Sequence, residues 1–157
     1  MSRSLPEWRG AVAFAIVALA LGTLPVPLAL SLAPAGDLSA TAPGVHLPSW
    51  FFGAVWMVIN PCLGVASWLV WKRRAQPGAT EALALFGVAF LLFLAFLPIT
   101  AAAHDQRVTA MMDILGLVYA YVAAWVYSGV DAKTIRWMLP LLVWMPITAL
   151  LKFVTLG

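Results

Sequence analysis

Hydrophobic residues run almost unbroken through five stretches of the chain, at about 10–32, 50–71, 81–103, 108–129 and 135–156. Each is close to the ~20 residues that a helix needs to cross a bilayer. The pattern predicts an all-α integral membrane protein, a single domain of five transmembrane helices over residues 1–157. The second, third and fourth connections are short, which makes sequential helices antiparallel neighbours. The first connection, 33–49, is the long exception. It holds Pro34, Gly36, Pro43, Gly44 and Pro48, with Asp37 and His46, and has no regular periodicity. Two readings of it stay open, a lid over a cavity or a plain connector.

The first stretch also has the outline of a secretory signal, because Arg3 and Arg9 precede a hydrophobic run. That run is longer than a usual signal core, and Pro25 and Pro27 fall where it should still be helical. Retention as a first span is the expectation, although the small residues in ALSLAPAG leave cleavage open.

Composition supports the same class. The chain is 64% hydrophobic and 10% charged, with a mean hydropathy of +0.98, too apolar for a soluble fold of this size to hide from water. A net charge of +3 invites a nucleic-acid reading. The basic residues, however, sit in short loops between apolar runs, so no nucleic-acid partner is expected. The lone Cys62 excludes an internal disulfide and a cysteine-rich metal cluster.

The basic residues instead set topology. Arg3, Arg9, Lys72, Arg73, Arg74, Lys133 and Arg136 fall on one side, against Arg107 and Lys152 on the other. By the positive-inside rule the amino terminus faces the cytoplasm and the carboxyl terminus the opposite side.

Candidate chemistry is sparse. His46 and His104 are too isolated for a metal or haem site, so neither metal nor obligatory cofactor is expected. No nucleophile elbow, phosphate loop or dinucleotide fingerprint is present, which argues against an enzyme, and catalytic residues are not assigned. Asp113, Asp131, Glu81 and Lys152 lie near span ends, where they can reach the interface. Asn60 is the strong amide within a span, followed directly by Pro61. It either bonds a neighbouring helix or orients the polar edge of a ligand. Prolines at 25, 27, 61, 98, 140 and 146 can bend four of the five spans and help to open an internal space.

Aromatic residues are the positive signal. There are eight Trp, eight Phe and three Tyr. Trp8, Trp50, Trp71 and Trp137 sit near predicted interfaces as belt anchors, while Trp56, Trp125 and Trp144 lie deeper. Facing the bundle, the deeper three would line a flat apolar pocket suited to a planar ring system. Ala11, Ala15, Ala18 and Gly22 form a small-residue stripe for close helix contact, within the chain or between subunits.

The residues from Leu47 onward resemble the TspO/MBR family, the tryptophan-rich sensory proteins related to the mitochondrial translocator protein. The resemblance rests on Pro48, Trp50, Gly53, Val55-Trp56, Gly64 and the SWLVWK run from Ser67 to Lys72. Leu139 to Trp144 matches the family's Pro-x-x-x-Trp, and Pro98 fits the proline closing its third-helix motif. It implies a five-helix bundle, usually dimeric, with a pocket capped by the first loop that takes porphyrins, sterols or synthetic aromatic ligands.

Trp50, Trp56 and Trp144 are then the pocket candidates, joined by Asn60, Phe93 and Phe96 where this chain departs from the family. Asn60 stands in place of a tyrosine, Phe93 and Phe96 in place of Asn and Trp, Leu63 in place of Met, and Leu151-Lys152 in place of a Leu-Asn pair. The usual last-helix cholesterol motif is missing, and Val122, Tyr127 and Lys133 make only a loose match to one.

Two functions follow from this reading. One is binding or translocation of a tetrapyrrole or other flat hydrophobic ligand, with a regulatory role in pigment or stress metabolism. The alternative is a structural or assembly subunit of a larger membrane complex, in place of a homodimer.

Overall fold

The computed structural model describes residues 7–32, 40–42, 45–103 and 105–156. His104 and most of the first connection, including Pro34, Gly36, Asp37, Pro43 and Gly44, lie outside them, as do Arg3 and the side chains of His46 and Lys152. Helix α1 (Glu7–Thr23) is followed by a short α2 (Pro25–Leu32), then by strands β1 (Ala40–Ala42) and β2 (Val45–Leu47). Four long helices complete the chain: α3 (Ser49–Lys72), α4 (Ala79–Ala103), α5 (Gln106–Val130) and α6 (Thr134–Leu156). Five spans, Trp8–Leu32 among them, are long and apolar enough to cross a membrane.

The first span is broken rather than continuous. Pro25 has no N–H to offer the carbonyl of Leu21, and Leu24 N–H takes that carbonyl instead at 3.2 Å. Proline is well suited to a first helical position, so α2 restarts there. Ala29 of α2 is buried beside Ala101 and Leu97 of α4. The first connection also differs from an irregular segment. Its described part is an antiparallel hairpin pairing Ala40 with Leu47 and Ala42 with Val45, and β1 lies beside α6.

The spans close into a ring in the order α1, α3, α6, α5, α4, and α2 completes it against α4. The tightest seam is α1 on α3. A Cβ at Gly64 would lie 2.7 Å from the Cα of Ala15, and one at Gly10 would run into the Trp68 ring. Ala11, Ala15, Ala18 and Gly22 are all partly covered, and Gly22 sits against the Asn60 amide. The small-residue stripe is therefore used within the chain.

At the end carrying Lys72, Arg73 and Arg74, polar groups tie two loops together. Pro77-Gly78 occupy the centre of a turn closed by Ala79 N–H to Gln76 C=O at 3.3 Å, with Gly78 at φ 81°. That positive φ is the reason for glycine in this type II arrangement. Asp131, placed by sequence at a cheap interfacial position, is buried instead. Its carboxylate takes Arg73 Nε at 3.0 Å and the Lys133 N–H at 3.0 Å. Its own carbonyl accepts from the Thr134 hydroxyl at 2.7 Å, which starts α6. At the other end Asp105 caps α5, its side chain accepting from Arg107 N–H at 2.8 Å.

Candidate ligand site

Helices α3 and α6 are the most enclosed of the five spans, and α3 sets the site. Its residues 55–56, 59–60 and 63 recur at helical spacing on the inward face. Trp56, seven residues from the start of α3, lies about 10 Å down the helix. Its ring meets Phe93 of α4 at 5.7 Å with an interplanar angle of 58°. Trp144 of α6 is 7% exposed and contacts the rings of Phe51 and Phe52 at 5.9 and 5.8 Å. Both separations lie within the range of attractive tilted ring pairs.

Gly116 of α5 joins these groups. A Cβ there would stand 2.7 Å from Met145 Cε on α6 and 3.3 Å from Phe93 on α4. Three helices thus converge on a position with no side chain. Between α4 and α5 a cavity of only about 10 Å3 remains, lined by Phe93, Phe96, Met112, Gly116 and Tyr119 among others. That is room for about one water. Helices α3, α4 and α6 run helically through Pro61, Pro98, Pro140 and Pro146.

The six candidate residues divide by location. Trp56, Phe93 and Phe96 belong to the inward aromatic group beside Gly116, whereas Trp144 is buried against Phe51 and Phe52 where α6 meets α3. Asn60 is 3% exposed but faces the Gly22 backbone of α1, at the seam between spans. Trp50 is 70% exposed, and its ring meets Phe51 edge-on at 6.0 Å. Trp125, grouped by depth with Trp56 and Trp144, is 76% exposed on the outer face. Ala120, Ala124 and Tyr127 point inward on α5, and the turn of the helix sends residue 125 outward. Tyr127, the tyrosine of the loose cholesterol-type match, is fully buried inside the bundle.

Sequence reasoning missed Met112, Gly116 and Tyr119. Their i, i+4, i+7 spacing marks one face of α5 and was the available signal. It also misplaced Asp113, which is 3% exposed inside the bundle. Among the described residues no three His, Cys, Asp or Glu side chains gather as a metal site would need.

Comparison with known proteins agrees with the architecture. The model of the TspO/MBR family matches residues 11–156. The human Translocator protein is 32% identical over 118 residues, covering 71% of this chain and 67% of that protein. On the ring of five apolar helices and this match over most of its length, the chain belongs to the TspO/MBR family and is a multi-pass integral membrane protein.

Proposed function

We propose that this protein binds a flat, lipid-soluble ring compound, a tetrapyrrole such as a porphyrin being the first candidate, and either senses it or passes it across the membrane. The observation that supports this most is the inward aromatic group, in which Trp56 and Phe93 meet beside the bare backbone of Gly116. Aromatic faces attract a planar π-system, and a glycine lets it approach the helix axis. The group is closed, so a ligand must displace Phe93 and Phe96 and replace their ring contacts with its own. Such a site binds and orients; no bond-making chemistry is assigned to it. The amino terminus faces the cytoplasm in this reading, and the working form is a homodimer.

Protoporphyrin quenching of tryptophan fluorescence in detergent tests the site, on the native chain and on the Trp56→Ala and Trp144→Ala variants. Saturable quenching weakened by both substitutions is expected. Saturable quenching that neither substitution alters would remove the assigned pocket.

A second reading has its own support. The cavity of about 10 Å3 and the phenylalanines at 93 and 96 suit a packed structural subunit of a larger membrane complex. Purification in mild detergent separates the two. A chain that runs alone or as a homodimer and binds porphyrin rejects the subunit role.

A further inference from the structure

A wide apolar groove opens on the outside of the bundle. Its volume is about 510 Å3, and it runs between α3 and α6, walled by Val55, Val58, Ile59, Leu139, Val143 and Trp144. Its mouth carries Arg136, in the first turn of α6. From Arg136 to Trp144 the groove descends eight residues, about 12 Å of helix. One leaflet's share of the hydrocarbon core is about 15 Å. The groove therefore reaches from headgroup level nearly to the bilayer midplane.

Charge distinguishes this groove from ordinary lipid-facing surface. Arg73, at the same end of the bundle, is paired with Asp131 at 3.0 Å. Arg74 lies over the Trp71 ring at 5.1 Å. Arg136 has no hydrogen bond or ion pair among the described residues, and Asp131, at the same end, is already engaged by Arg73. Pro140, in the groove wall, has no N–H for the carbonyl of Arg136 four residues before it. The mouth thus offers a planar cation with five donors above an apolar slot.

We propose that this groove is a binding site for an anionic glycerophospholipid of the leaflet at the basic end. The phosphate sits on the Arg136 guanidinium, whose fork matches phosphate oxygens. One acyl chain lies along Leu139, Val143 and Val58 towards Trp144. This site is separate from the inward group of Trp56, Phe93 and Phe96; Trp144, packed on Phe51 and Phe52, closes its deep end.

Native mass spectrometry of the full chain tests the proposal, using equal amounts of phosphatidylglycerol and phosphatidylcholine with identical acyl chains. The native protein should retain phosphatidylglycerol about fivefold over phosphatidylcholine, the scale of one basic residue at a membrane surface. Equal retention by the unaltered protein overturns the proposal without any variant. Arg136→Gln should abolish the preference, and Arg74→Gln should leave it. If both variants lower it equally, the effect belongs to general surface charge and the site is rejected. Val143→Trp should reduce retention of both lipids. A dimer that Val143→Trp dissociates, with lipid retention unchanged, would instead assign the groove to a second copy of the chain.

Discussion

Ser67 of α3 and Tyr127 of α5 meet inside the bundle with their hydroxyl oxygens 3.2 Å apart. The Ser67 proton is committed to the Leu63 carbonyl at 2.9 Å, so Tyr127 is the donor. Tyr127 is fully buried, and its ring also packs on Phe86 of α4 at 5.0 Å. Three spans are joined at one side chain.

Tyr127→Phe removes the hydroxyl and keeps the ring. An intramembrane hydrogen bond of this kind is worth about 0.6–1 kcal/mol. Thermal unfolding in detergent should show a loss of that size. Tyr127→Ala should cost about 3–5 kcal/mol, as for other buried aromatics. Equal effects of the two would mean that the hydroxyl, not the ring, carries the contact.

The two glycines at 64 and 53 should behave oppositely. A Cβ at Gly64 meets the backbone of Phe14 and Ala15, which cannot swing away, whereas one at Gly53 has open space around it. Gly64→Val should destabilise by about 1–3 kcal/mol through overpacking and separate α1 from α3. Gly53→Ala should be neutral or slightly stabilising. Melting curves of the two variants check the contrast.

The Arg73–Asp131 pair predicts a graded loss. Arg73 is substantially exposed and its charge is screened, so Arg73→Gln should cost under about 1 kcal/mol. Asp131→Ala also removes the carboxylate that holds the Lys133 N–H at the start of α6, and should cost about 1–2 kcal/mol more. Measured in detergent, only the Arg73 contribution should shrink as salt is raised.

For the ligand, depth and direction make different forecasts. Trp56→Ala should weaken porphyrin binding about threefold to tenfold, the worth of one aromatic contact. Trp125→Phe should leave affinity unchanged, since that ring lies on the outer face. Titrations followed by porphyrin absorbance, which does not depend on which tryptophan reports, separate these outcomes.

Five spans, their ends to within a few residues, and the family were all legible in the sequence. Crossing a bilayer demands about 20 apolar residues in a row, a property that chain order alone displays. The break at Leu24 was nearly legible too, since Pro25 cannot donate to Leu21. Which way each helix faces was not. Trp56 and Trp125 are both tryptophans at mid-span, and only packing sends one to Phe93 and the other to the outside. Asn60 faces Gly22, and Asp113 is enclosed rather than interfacial, for the same kind of reason. Lipid is as apolar as a protein core, so a spanning helix need not show the polar stripe that marks the outer face of a soluble one. The inward face of each span is chosen by small residues and ring contacts between helices, and those exist only once the five have closed into a ring.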